Sequence, residues 1–270
     1  MLSGLAFFTG AWTDPLWLIG KTQEFFDALP PEKKLGDQFS LAAARIVERR
    51  EWQPSLPIIE ANLDAVIREL GIYYVPKTIN PGPCIVFPMR DYRMDNMVTS
   101  HMIHPFYHVE RKGGGIAKYA HLGAKATEGT PSWFGITDEF IRSVHLQRSV
   151  LLVEGFYDLL AVRLLHPGAP VISTGTKRVN KAHVQYLRML NVARVLVMFD
   201  HERGKDGKEG AGDRAARYTV KEWDNKHRMR WMAVPTLTED PSDALKDRRS
   251  AYTFRQYLRT LFPLAERKVV

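Results

Sequence analysis

The chain has 270 residues, 45% hydrophobic and 25% charged, an ordinary globular composition that excludes a disordered tail. Lys and Arg number 38 against 30 Asp and Glu, and the formal charge of +8 favours an anionic partner, nucleic acid first. With one cysteine, Cys84, the sequence holds neither an intrachain disulfide nor a cysteine-rich zinc module.

The first twenty residues, MLSGLAFFTGAWTDPLWLIG, are apolar but lack a basic start and are broken by Asp14 and Pro15. Neither a signal peptide nor a membrane span is predicted, and a reduced, cytoplasmic setting without membrane partners is expected. Phe7, Phe8, Trp12 and Trp17 are expected to pack against the body of the protein. Residues 20 to 70 read as helices. KTQEFFDALP stops at Pro30 and Pro31, FSLAAARIVERREW has helical spacing before Pro54, and LPIIEANLDAVIRELG closes on Gly71. From 72 to about 120, short apolar and aromatic runs between Pro, Gly and Asn turns predict several antiparallel strands. From 149 the texture changes again. SVLLVEG, APVISTGT, ARVLVMFD and MRWMAVP read as strands, separated by the helical segments FYDLLAVRLLHPG, VNKAHVQYLRMLN and AGDRAARYTVKEW. This alternation predicts an α/β unit, a parallel sheet with helices on both faces, between about 145 and 245.

Two of these strands end in acids, VLLVEG at Glu154 and VLVMFD at Asp200. Ligands of open parallel sheets sit outside the carboxyl ends of the strands, so both side chains should open into one crevice. Asp158 stands four residues past Glu154 in the first turn of the next helix, and Glu202 follows Asp200 at i+2, able to point to the same side. One acid after a strand can simply cap a helix. Four at one rim call for a divalent cation, and hard oxygen donors select Mg²⁺ or Mn²⁺.

LLVEGFYDLLAV, VISTGT, and VLVMFD followed by His201, Glu202 and AGDRAA together resemble the Toprim domain of bacterial and phage primases. Glu154 and Gly155 match its Glu-Gly motif, and Asp158 the acid that primases carry four residues on. Asp200 matches the first acid of its Asp-x-Asp pair, with Glu202 in the place of the second. Gly175 and Thr176 fall on the primase-type Gly-Thr turn. VPTLTEDPSDAL resembles the family's Asp-Pro-acid segment, with Asp240 on its first acid, Ser242 where many relatives carry the second, and Asp243 one place late. Upstream, IVFPMRDYR, IAKYAHLGAK and WFGI resemble the primase basic subdomain, with Lys118 on the basic residue of its Lys-Tyr pair. The resemblance divides the chain into an N-terminal helical segment (1–71), a mixed α+β basic subdomain (72–145), an α/β Toprim domain (146–248) and a short helical tail (249–270).

The resemblance implies a DNA primase core that makes RNA primers on single-stranded DNA from ribonucleoside triphosphates by metal-dependent nucleotidyl transfer. Glu154, Asp200, Glu202, Asp240 and Asp243 are its implied metal residues, and Glu154, Asp158, Asp200 and Glu202 its implied catalytic ones. Arg90, Arg93, Lys118, Lys125 and Lys177 are expected to meet template or triphosphate, with Arg111 and Lys112 as further candidates. A replicative helicase or a separate zinc-binding, template-reading subunit is an implied partner, and a phage or mobile-element replication protein fits so short a core. Two departures stand out: the insertion RGKDGKEG after Glu202, and HMIHPFYH in place of an arginine-bearing glycine strand. Its histidines are expected to line a surface or groove rather than bind zinc. The alternatives are a Toprim-type metal-dependent nuclease and a non-catalytic nucleic-acid-binding accessory protein of replication.

Overall fold

The structure, a computed structural model, describes residues 36–75, 84–91, 97–105, 109–110, 116–117, 120–123, 133–201 and 210–263. The helix expected over KTQEFFDALP, the four N-terminal aromatic residues and the 203–210 insertion up to Glu209 lie outside them. Two units divide the chain: Met1–Ile46 with Ile67–Ser132, and Val47–Val66 with Trp133–Val270.

Helices α1 (Gly36–Arg50) and α2 (Pro57–Leu70) form where the sequence predicts them. Each contributes to both units. α1 buries Ala42 and Ile46; α2 buries Ile59, Leu63, Val66, Ile67 and Leu70, the i, i+4, i+7, i+8, i+11 stripe of one helical face. The first unit is then an antiparallel sheet, as its turn-rich sequence predicts. Strands β1 (Tyr73–Val75), β2 (Cys84–Asp91), β3 (Met97–Pro105) and β6 (Ala120–Gly123) lie in the order β1-β2-β3-β6, and β4 (Val109–Glu110) pairs with β5 (Ile116–Ala117). Cys84 to Met89 are all buried, with Pro88 among them, so β2 is covered on both faces. Burial pushes the Cys84 thiol up to about 12, which keeps it protonated and inert. His101 and His104 are buried in β3 at 6% and 3% exposure. They are core residues, not the surface or groove-lining groups their sequence suggests, because both fall on covered positions of a strand. His108 lies outside the described residues.

The second unit holds the parallel sheet. Helix α3 (Asp138–Gln147), which the sequence reading does not place, starts on an N-cap where Thr137 Oγ1 accepts from the Phe140 N–H at 3.1 Å. Then come β7 (Ser149–Val153), α4 (Phe156–Leu165), β8 (Val171–Ser173), α5 (Lys181–Met189), β9 (Arg194–Met198), α6 (Ala211–Trp223), β10 (Arg230–Ala233), a 3-10 segment (Pro241–Lys246) and α7 (Arg248–Leu261). The strands run parallel in the order β10-β9-β7-β8. From β7 the chain moves one way through α4 to β8, and from β9 the other way through α6 to β10. With right-handed crossovers this puts α4 and α6 on opposite faces and makes the gap between β7 and β9 the switch point of the sheet. β7 is wholly buried, as a central parallel strand must be, and so are all ten residues of α4.

Near Trp133, whose indole lies 4.5 Å from the His183 ring, α5 begins with a reciprocal cap. Asn180 accepts from the His183 N–H at 3.0 Å, and His183 Nδ1 accepts from the Asn180 N–H at 3.1 Å. Burial lowers the His183 ring to about 3. The unfolded ring takes a proton near pH 6.5 and the folded one does not, so stability is expected to fall as pH drops from about 6.5 toward 3. Ring proton shifts of His183 that stay those of neutral imidazole from pH 7 to pH 5 would bear this out.

Candidate active site at the sheet switch point

Glu154 follows β7 and Asp200 stands two residues past β9, so the two adjacent strands at the switch point each deliver an acid at their carboxyl end. One oxygen of each, Glu154 Oε2 and Asp200 Oδ1, is shielded from solvent. Lys177, in the loop after β8, brings Nζ to 3.6 Å from Glu154 Oε2. The β8 end is tied to the Glu154 backbone, where the Ser173 hydroxyl donates to the Glu154 carbonyl at 2.9 Å. Thr174 turns its hydroxyl onto the Thr176 carbonyl and so closes the Gly175–Thr176 turn.

Two glycines have steric reasons. A Cβ on Gly155 would fall 2.4 Å from Asp158 Oδ2, the oxygen that accepts the Gly155 N–H at 2.8 Å. The Glu-Gly pair is therefore a strand end whose glycine makes room for a carboxylate folding back on the helix start. On Gly212 a Cβ would sit 2.0 Å from the Asp200 carbonyl oxygen, 3.0 Å from its carbon and 3.1 Å from its nitrogen. That obstacle is backbone, so α6 presses directly on the residue that carries the second acid. Gly212→Ala is expected to cost about 2 kcal/mol and to lower the thermal midpoint by roughly 4–8 °C, read by differential scanning calorimetry.

Asp158 is turned inward, 4% exposed, with both oxygens on main-chain donors: Oδ2 on Gly155 N–H and Oδ1 on Ser242 N–H at 3.3 Å. It ties the start of α4 to the segment before α7. Burial, then the charges of Asp240 and Asp200, hold its carboxyl well above the usual range, against the pull of Arg50 and the Gly155 N–H. Asp158, Asp200 and Asp240 thus share one electrostatic environment.

Asp240 caps the 3-10 segment, Oδ1 accepting from the Asp243 N–H at 3.0 Å and from the Ser242 hydroxyl at 2.6 Å, with Pro241 at the first position. Its other partner is Arg50, a residue sequence reasoning missed. From the last turn of α1, Arg50 Nη2 donates to Asp240 Oδ1 at 3.2 Å and Oδ2 at 3.0 Å, donates to Ser242 Oγ, and stands 3.7 Å from Asp243 Oδ1. Its guanidinium carbon lies 5.4 Å from the Tyr157 ring centroid. The Gln53 N–H donates to the Leu245 carbonyl at 3.0 Å, so the α1–α2 connection grips the 3-10 segment at two points. Burial opposes ionisation of Asp240, but Arg50, the Ser242 hydroxyl and the Asp243 N–H outweigh it and hold the carboxyl below its ordinary value. Burial likewise works against the Arg50 charge, and Asp240 and Asp158 more than restore it. The sequence offers little signal for this contact: Arg49 and Arg50 look like bases ending a helix, and Asp240 is 190 residues away.

Of the other expected site residues, Asp243 pairs with Lys246 at 2.7 Å, and Arg90 lies on β2 of the first unit beside a register shift between Met89 and Arg90. Glu202, Arg93, Lys118, Lys125, Arg111 and Lys112 lie outside the described residues. Among the described residues no three His, Cys, Asp or Glu side chains converge to enclose an ion. The donor set nevertheless suits a hard divalent cation: it is all carboxylate, and after burial the charges of Asp240 and Asp200 add to the rise of the Asp158 carboxyl.

The chain carries a parallel α/β sheet with acids at its switch point and, as a separate unit, an antiparallel sheet, and its fold is similar to that of solved primase catalytic cores. Among solved structures, the RNA polymerase domain of Mycobacterium tuberculosis primase DnaG is similar over 95% of this chain and 84% of that one, at 16% identity and a TM-score of 0.59. The DnaG catalytic core matches over 90% of this chain and 79% of that one, at 17% identity and a TM-score of 0.55. A DnaG primase catalytic domain bound to single-stranded DNA matches over 90% and 78%, at 18% identity and a TM-score of 0.50. No family model and no curated protein matches the sequence.

Proposed function

We propose that this chain is a primase-type nucleotidyltransferase: along a single-stranded DNA template, a 3′-hydroxyl attacks the α-phosphate of a ribonucleoside triphosphate, the α–β phosphoanhydride bond breaks and pyrophosphate leaves. The observation that carries the reading is the pair Glu154 and Asp200 on adjacent strand ends at the switch point of a sheet with the primase fold. Asp200 and Asp240, with Glu202, Glu154 and Asp243 as further ligands, are the residues to hold Mg²⁺ or Mn²⁺. That cation supplies neutralisation at the phosphate oxygens and a lowered hydroxyl pKa. Asp158 braces: it fixes the start of α4 and the Asp240 segment through two main-chain N–H groups. Arg50 orients Asp240, and Lys177 holds a positive charge beside Glu154.

In this reading Arg90, Arg93, Lys118 and Lys125 of the basic subdomain meet template or triphosphate. A helicase or a separate zinc-binding subunit supplies template choice. One solved neighbour, from Aquifex aeolicus, carries zinc-binding and RNA polymerase domains together. Among the described residues no helix is long and apolar enough to cross a membrane, and a cytoplasmic replication role is proposed.

The test is primer synthesis on single-stranded DNA of mixed sequence, with labelled ribonucleotides and Mg²⁺ or Mn²⁺. Short RNA products that disappear with Glu154→Gln support the reading. Metal-dependent shortening of the DNA, abolished by the same substitution, replaces it with a nuclease.

A further inference from the structure

Helix α6 has two unlike faces. Gly212, Ala216, Thr219 and Trp223 are buried, while Arg214, Arg217, Tyr218 and Lys221, at i, i+3, i+4 and i+7, are exposed on one stripe. Tyr218 keeps 67% of its surface in solvent and stands between the cations of the stripe. With Val220 of the same helix and Ala233 of β10 it lines a wide, shallow groove of about 540 Å³. Arg228 and Arg230 are exposed in the chain that leads from α6 into β10.

We infer that the groove between α6 and β10 binds a single strand of nucleic acid that passes the carboxylate rim. Three cations on one helix face suit phosphates, and a tyrosine between them offers a stacking surface indifferent to base identity. From Arg214 to Lys221 the helix rises about 10 Å, long enough for the stripe to meet more than one phosphate of a strand. The direction also fits, because α6 starts where Gly212 abuts the Asp200 backbone, so the stripe runs away from the rim. A peptide strand added to the edge of β10 fits less well. Asp224 Oδ1 already accepts the Trp231 N–H at 2.8 Å, with Arg230 Nε 3.4 Å away, so the edge is occupied at that point.

The inference adds to the polymerase reading a path for the strand, and its test separates the two. Anisotropy of a labelled 12-mer of deoxythymidylate is measured on the full chain from 50 to 300 mM salt. Arg214→Gln with Lys221→Gln is expected to weaken binding about tenfold at 100 mM and to flatten the salt slope by about 1.4. Tyr218→Ala is expected to weaken it about tenfold with the slope unchanged. A control pair on other helices, Arg142→Gln with Arg188→Gln, is expected to stay within twofold. The inference is overturned if the wild-type chain does not bind the oligomer, if the α6 variants bind within twofold of it, or if the control pair loses as much. It is equally overturned if the α6 variants lose binding to polyglutamate but not to DNA. Primer synthesis run beside these titrations decides the polymerase reading separately: wild-type protein that binds through the groove yet makes no primers ends that reading and keeps the groove.

Discussion

Asp200→Asn is expected to lower primer synthesis by about 10³-fold, equivalent to ~4 kcal/mol of lost transition-state stabilisation, while the thermal midpoint rises in the presence of a chelator. The two effects have one origin. Asparagine matches aspartate in shape, so the strand end and its contact with Gly212 persist. What disappears is one of the two negative charges that, after burial, hold Asp158 in its less ionisable state. A buried acid with a raised folded pKa contributes stability below its unfolded value near 3.9, and that contribution is lost as pH rises through the folded value. Relieving Asp158 shrinks this loss. The midpoint of the variant should therefore equal that of wild type near pH 4 and lie above it at pH 7, by about 2–4 °C for ~1 kcal/mol. A variant that is inactive and less stable at pH 7 would remove Asp200 from the electrostatic cluster.

Arg50→Met is expected to move stability the other way, by about 3 kcal/mol, or roughly 6–12 °C in the thermal midpoint. The guanidinium is the positive charge facing Asp240 and Asp158, stands near Asp243, which Lys246 also pairs, and its side chain is only 18% exposed. Methionine keeps much of the volume beside Tyr157 but leaves these acids facing one another. Asp240 has a depressed folded pKa, so its stabilisation is complete above about pH 4 and vanishes as pH falls through the folded value. The gap between variant and wild type should thus be widest at neutral pH and close in acid. Arg50→Lys should recover part of the loss, since an ammonium returns the charge but not the planar donor set shared by Asp240 and Ser242. Equal losses for the Met variant at pH 4 and pH 7 would mean that Arg50 acts by packing alone.

The parallel sheet was legible because VLLV and VLVM are unbroken apolar runs, as strands covered on both faces have to be, and because Glu154 comes directly after the first and Asp200, with one residue between, after the second. The likeness to primases, drawn from those same residues, is matched in fold. What escaped reading are contacts made across long separations or by main-chain groups. Ser242 looked like a lost acid; folded, its N–H and hydroxyl bind two acids, Asp158 and Asp240. DEFIRSVHLQ follows a Thr137 cap that marks a helix, yet the sequence reading does not place one there. His101 and His104 misled because histidine on a strand does not announce which face is covered.

The second unit is discontinuous in sequence, since Val47–Val66 belong with Trp133 onward. A fragment cut at residue 133, or at the more obvious seam near 145, would keep every acid of the rim and lose Arg50 and the Gln53 contact. Such a piece would keep Lys177 and Lys246 but start without the charge that offsets Asp240 and Asp158. Excision and recombination at those seams are therefore poor routes for moving this α/β unit between proteins. It travels intact only with the two helices that precede it, a constraint written in chain connectivity rather than in any motif.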